Sequence, residues 1–108
     1  MGSLGSIVSF DEQASVLHVA GDEDRATQSL RRRALSRALC SPREDVTVDL
    51  SELWFADSSL MLDLAMLARR LRLAGRRLVL RGAQPDIQKL IQFVGIDRLP
   101  GVLVASPA

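Results

Sequence analysis

Apolar residues change period repeatedly along this chain, and only a fold that alternates strands with helices accommodates that pattern. Val46-Thr47-Val48-Asp49-Leu50 is a β-prone run within 45–50. Leu60, Leu64, Leu67 and Leu71 then recur at steps of four, three and four, and Ala65 and Ala68 widen that helical stripe. Asp57 is its natural N-cap and Gly75 its stop, with Arg69, Arg70 and Arg72 in the last turn, where cations suit the helix dipole. Leu78-Val79-Leu80 returns to a strand ended by Gly82. Ile87, Leu90, Ile91 and Val94 fit the i, i+3, i+4, i+7 spacing of a further helix, with Pro85 at its first position and Gly95 at its close. Val102-Leu103-Val104 is a last short strand.

Upstream, Ile7-Val8-Ser9-Phe10 and Val16-Leu17-His18-Val19 flank the polar link Asp11-Glu12-Gln13-Ala14 and read as a hairpin, closed by Gly21. Asp22 is the expected N-cap of the first helix, with Glu23 and Asp24 in its first turn. Ala26, Leu30, Ala34 and Ala38, with Leu35 and Leu39 beside them, form its stripe, and Ser41-Pro42 stops it. Residues 51–56, which hold Trp54 and Phe55, are expected to form a turn. The order β-β-α-β-α-β-α-β predicts right-handed parallel crossovers after residue 45. The fold class is therefore α/β, a single domain with a mixed, mostly parallel sheet packed by helices. That domain is expected over 7–105, and 1–6 reads as an expression remnant or a flexible N-terminus.

Composition narrows the chemistry. Cys40 is the only cysteine and His18 the only histidine, so neither a disulfide framework nor a Cys- or His-rich metal site is available. A Ser-His-Asp triad would have to use His18, inside a strand-like run. Asp57 and Asp63 lie six residues apart, a poor spacing for an acid–base pair on one helix face. No glycine-rich phosphate loop is present. No enzyme activity, cofactor or metal is expected. Fourteen basic residues against thirteen acidic ones give a net charge of +1, which argues against general nucleic-acid binding while leaving a local Arg patch open. Thirteen of the fourteen are Arg; Lys89 is the exception. The longest apolar runs fall far short of the ~20 residues that span a bilayer. The expected setting is cytoplasmic, without membrane insertion.

Asp49-Leu50-Ser51, then Asp57-Ser58-Ser59 opening an amphipathic helix, then Gly75-Arg76-Arg77-Leu78-Val79-Leu80 form an ordered set. Gln84-Pro85, Leu90 and Val94-Gly95-Ile96-Asp97-Arg98-Leu99 extend it, and Gly21-Asp22 with Asp24 precede it. Together these resemble the STAS domain family of bacterial anti-sigma factor antagonists, over about residues 7–104. The resemblance implies a STAS-like fold and partner switching. The unphosphorylated domain binds an anti-sigma factor with serine kinase activity, phosphorylation of the residue after the motif Asp breaks the complex, and a phosphatase resets it. Carried over by position, Asp57 is that Asp, Ser58 the acceptor and Ser59 the second hydroxyl and second choice. The implied partner surface comprises Asp22, Asp24, Trp54, Asp57, Ser58, Ser59, Leu60, Met61 and Asp63, along the exposed side of the helix at 58–74. Nucleic acid is not an implied partner, and the oligomeric state is open, a dimer included.

Physical chemistry agrees in part. A hydroxyl at the first helical position lies beside unpaired backbone N–H groups, where an anion is tolerated. A phosphate there adds roughly −1.5 to −2 charge next to Asp57, and a like-charge clash with an acidic partner costs enough to act as a switch. Two departures from the family pattern stand out. Leu60 occupies the position where the family usually has Gly, which removes close backbone access for a kinase. Glu23 precedes Asp24 where an apolar residue is usual. Leu60 thus favours a rival reading, a constitutive, unphosphorylated STAS adaptor subunit of a lipid-transport ATPase complex or a stress-signalling scaffold. Among the remaining residues, Trp54 and Phe55 read as a core cap or an aromatic partner contact, and Met66 as an adaptable contact or a plain semi-exposed residue. His18 reads as an ordinary strand residue, Cys40 as helix-end packing, and Arg31-Arg32-Arg33 as a solvated helix face.

Overall fold

The computed structural model describes residues 7–23 and 28–105. Its elements are β1 (Ile7–Asp11), β2 (Val16–Glu23), α1 (Gln28–Cys40), β3 (Asp45–Ala56), α2 (Ser58–Leu73), β4 (Arg77–Arg81), α3 (Pro85–Val94), a 3-10 turn (Ile96–Arg98) and β5 (Val102–Ala105). The strands form one sheet in the order β1-β2-β3-β4-β5. β1 and β2 pair antiparallel, and every later pairing is parallel. The Asp11 carboxylate fastens the hairpin by accepting from the backbone N–H groups of Gln13 and Ala14. The α/β class, the element order and the mixed sheet match the sequence expectation.

Each parallel crossover steps one strand in the same direction. Right-handed connections then put all the intervening helices on one face of the sheet. Burial follows: Leu17, Val19, Val46, Val48, Leu50, Leu78 and Leu80 share the covered face and are shielded beneath Ala34, Ala38, Leu64, Leu67, Leu71, Ile87 and Ile91. The opposite face carries cross-strand charge pairs in register. Asp45 meets Arg77 at 3.0 Å, Asp49 meets Arg81 at 3.3 Å, and His18 Nδ1 lies 3.4 Å from Asp49. Exposed pairs of this kind are screened by solvent, so they set the register more than they stabilise the fold.

The structure corrects two boundaries for one reason. β2 continues through Asp22 and Glu23, so Asp22 is a strand residue and not a helix cap; α1 is helical from Gln28. Likewise, residues 51–56 are not a turn but the second half of β3. Asp22 pairs with Phe55 and Glu23 with Ala56, so each segment supplies the other's ladder partner. Between His18/Asp49 and Ala20/Glu52, β3 uses one residue more than β2, and it does so again between Gly21/Leu53 and Asp22/Phe55. These bulges break the in–out alternation, which is why Leu53 and Ala56 are buried while Trp54 and Phe55 both face outward. Asp24 and Ala26 lie outside the described residues. Cys40 is exposed rather than packed at the helix end, and α3 buries Ile87 and Ile91 while Val94 stays exposed.

Leu17 lies fully buried near the start of β2, paired with β1 on one side and β3 on the other. Leu17→Ala removes its methyl groups and leaves a cavity, with an expected cost of about 2.7–5 kcal/mol. Equilibrium urea unfolding checks this, and an unchanged midpoint would contradict the packing described.

Candidate partner-binding site

The site is assembled where the carboxyl ends of β2 and β3 meet the start of α2. Asp57 sits at the N-cap in extended conformation, and its carboxylate accepts from the Ser59 backbone N–H at 2.9 Å. Ser58 is the first residue of the helix, and its side chain is exposed. Ser59, Leu60, Met61, Asp63 and Leu64 turn inward, while Leu62, four residues on from Ser58, is exposed beside it. The two adjacent hydroxyls therefore occupy different environments.

Beneath them lies an interaction that sequence reading missed. Arg31 on α1 is 0% exposed, a correction to the solvated face expected for it. Its Nε donates to Asp63 Oδ2 at 2.8 Å, and a terminal guanidinium nitrogen donates to Ser59 Oγ at 3.0 Å. The Ser59 hydroxyl in turn donates to Asp57 Oδ1 at 2.5 Å. A continuous relay thus runs from Asp63 through Arg31 and Ser59 to Asp57, and ties α1 to the first turns of α2. Asp57 and Asp63, six residues apart on the chain, belong to one network through Arg31.

This network sets the state of the cap. The hydrogen bond from the Ser59 hydroxyl, aided by the Ser59 and Leu60 backbone N–H groups and the Arg31 charge, holds the Asp57 carboxyl below its ordinary value against the opposing effect of partial burial. Asp49 is held low too: burial pushes it up, but hydrogen bonds from the Ser51 backbone and hydroxyl and from Arg81 outweigh that.

The implied partner residues separate into two groups. Trp54, 67% exposed, and Ser58 lie on the surface, and Asp57 lies half-buried between them and the network. The β2–β3 register brings the Asp22 backbone alongside Phe55, which is 54% exposed. Trp54 and Phe55 therefore do not cap the core. Leu60 and Met61 are fully buried, and Ser59 and Asp63 nearly so. As placed, Leu60, Met61 and Asp63 support the site from beneath and offer a partner no surface. Leu60 in the Gly position of the motif is a core residue here. Among the described residues, no cluster of His, Cys, Asp or Glu could hold a metal ion, and no helix is long and apolar enough to cross a membrane.

A family model described as Mlab, STAS domain, matches residues 6–105. Among solved structures, the chain is similar to one described as the anti-sigma factor antagonist SpoIIAA in its unphosphorylated form. The sequences are 24% identical, the TM-score is 0.69, and the match covers 84% of this chain and 78% of that one. No curated protein matches.

Two predictions follow from the relay. Arg31→Met leaves Asp63 charged and unpaired in the interior, at an expected cost of about 3–5 kcal/mol, whereas Arg31→Met with Asp63→Leu is expected to recover most of it. Denaturant unfolding of both variants checks this; equal losses would contradict the pairing. The second concerns acid. A carboxyl whose folded value is depressed contributes stability that is complete above its unfolded value, about 3.9, and is lost as pH falls through the lower folded value. Asp57→Asn is therefore expected to reduce the loss of stability below about pH 4, without abolishing it because Asp49 shifts the same way. Melting temperatures measured across that range decide the matter.

Proposed function

The chain belongs to the STAS domain family, and from that premise we propose that it is an anti-sigma factor antagonist. In this reading it binds an anti-sigma factor with serine kinase activity through the surface at the start of α2. Phosphorylation of Ser58 breaks the complex, and a phosphatase restores it. One observation carries the choice of acceptor. The Ser58 hydroxyl stands exposed at the first helical position, while the Ser59 hydroxyl is buried between Asp57 and Arg31 with its donor and acceptor roles both in use. A kinase reaches the first without disturbing the fold; reaching the second requires opening the relay.

The electrostatics suit a switch. A phosphate on Ser58 joins a surface that already holds the ionised Asp57. Trp54 and Phe55 supply exposed aromatic area close by, the kind of side chain that anchors protein interfaces. Each loss of ~1.4 kcal/mol at that surface lowers affinity tenfold, so repulsion of a few kcal/mol dissociates a micromolar complex with the domain still folded.

A constitutive adaptor, such as a subunit of a lipid-transport ATPase complex or a stress-signalling scaffold, is the second reading. It is favoured by Leu60, which puts a buried leucine where the motif's flexible Gly would admit a partner backbone. Incubation with the cognate anti-sigma kinase and ATP, followed by peptide mass spectrometry, separates the two. The switch predicts one phosphate, on Ser58. It also predicts that Ser58→Asp weakens partner binding by roughly tenfold or more while Ser58→Ala retains it. An unmodified chain whose two variants bind alike would favour the adaptor.

A further inference from the structure

Away from the start of α2, the helical face carries a concentration of charge that the Ser58 site does not use. Arg32 and Arg33 on α1 and Arg69, Arg70 and Arg72 on α2 are all exposed. None of the five forms an ion pair among the described residues. The one acid on α2, Asp63, is committed to Arg31. The chain as a whole carries only +1, so this face is far more basic than the molecule.

An apolar ridge runs between the arginines. Met66 and Leu73 are 52% and 78% exposed. At 3.6 residues per turn they fall within an arc of about 20° on the outer side of α2. A groove lies on either side. One, of about 240 Å³, runs between α1 and α2 and is lined by Leu35, Leu39 and Leu67 with Arg32 and Arg70, and by Asp63, whose charge is met by Arg31. The other, of about 470 Å³, lies between α2 and the segment after the 3-10 turn, formed by Ala65, Met66, Leu99 and Pro100 with Arg69 and Arg72. Both grooves therefore combine an apolar lining with a pair of exposed guanidinium groups.

We propose that the C-terminal half of α2 and its two flanking grooves form a docking surface for an acidic amphipathic helix of a partner protein. Apolar side chains at i, i+3 or i+4, and i+7 of such a helix fill a groove, as in other helix-in-groove complexes. Its flanking carboxylates meet the arginines, whose planar forks accept a carboxylate through two parallel hydrogen bonds. Concavity favours a protein occupant over a lipid surface, because a bilayer pressed on the ridge leaves both grooves unfilled. The assignment rests on the arginine face and the grooves and does not depend on phosphorylation of Ser58.

Phage display of about 16-residue helical peptides against the full chain, long enough for four turns, tests this. The expected winners carry Asp or Glu beside Leu, Met or Phe at helical spacing. Their binding is expected to fall roughly tenfold or more in Arg69→Glu/Arg70→Glu and in Met66→Ala, and to weaken with added salt. Ser58→Ala is expected to leave peptide binding unchanged, so this surface and the Ser58 switch succeed or fail separately. Thermal melts confirm that the surface variants remain folded. Selection of basic or neutral peptides, of no peptide, or of peptides indifferent to the arginine substitutions would overturn the proposal. Co-sedimentation with phosphatidylcholine vesicles doped with phosphatidylglycerol, abolished by the same substitutions and with no acidic peptide selected, would assign the face to a membrane and overturn it too.

Discussion

The guanidinium of Arg31 lies fully buried between α1 and α2, and the geometry at the start of α2 depends on it. Removing an Arg from water carries a penalty of several kcal/mol, which only a close, well-bonded partner offsets. Asp63 supplies the charge, and Ser59 accepts a further hydrogen bond. Because Ser59 uses its own proton on Asp57, the capping carboxylate is fixed from below by a second helix as well as by the backbone it caps. Hydrophobic packing of α1 on α2 alone is tolerant of small slides. A buried ion pair with a hydroxyl attached admits one relative position of the two helices, and that position leaves Ser58 outside.

The sheet supplies the other half of the arrangement. Successive crossovers in one direction stack the helices on a single face, so the carboxyl ends of β2 and β3 open at the edge where α2 begins. The bulges in β3 then decide what this edge displays. Regular alternation would have sent one of Trp54 and Phe55 inward, but the extra residues bury Leu53 and Ala56 and leave both aromatics in solvent. A strand irregularity thereby converts two residues well suited to a core into exposed aromatic surface beside a helix start.

Periodicity made most of this legible. The stripes at Leu60, Leu64, Leu67 and Leu71 and at Ile87 and Ile91 are buried as their spacing requires. The ends of β2 and β3 were not legible, because strand pairing between two segments distant in sequence overrode a local capping preference at Asp22 and a turn reading at 51–56. Arg31 is a different case. It stands three, four and seven residues before Ala34, Leu35 and Ala38, squarely in the apolar stripe of α1, and Asp63 stands three residues after Leu60 and four before Leu67 in that of α2. Opposite charges on two stripes that must face each other are a signal for a buried pair. The neighbouring Arg32 and Arg33, both exposed, disguised it as part of a solvated run.

That division of the arginines has an electrostatic consequence. Arg31 already faces two carboxylates, Asp63 and Asp57, so it has little capacity to neutralise a phosphate added at Ser58. On α2 the exposed arginines begin at Arg69, eleven residues along the helix from Ser58, which is about 16 Å at 1.5 Å per residue. In physiological salt the screening length is about 8 Å, so charge at Ser58 and charge at Arg69 interact weakly through solvent. A phosphate would therefore act on whatever binds near Trp54, Asp57 and Ser58 while the arginines at the far end of α2 kept their own attraction for an acidic partner. A partner that engaged both regions would lose one set of contacts and retain the other. Its affinity after phosphorylation would then be set by the arginine face and by how much of the partner spans the length of α2.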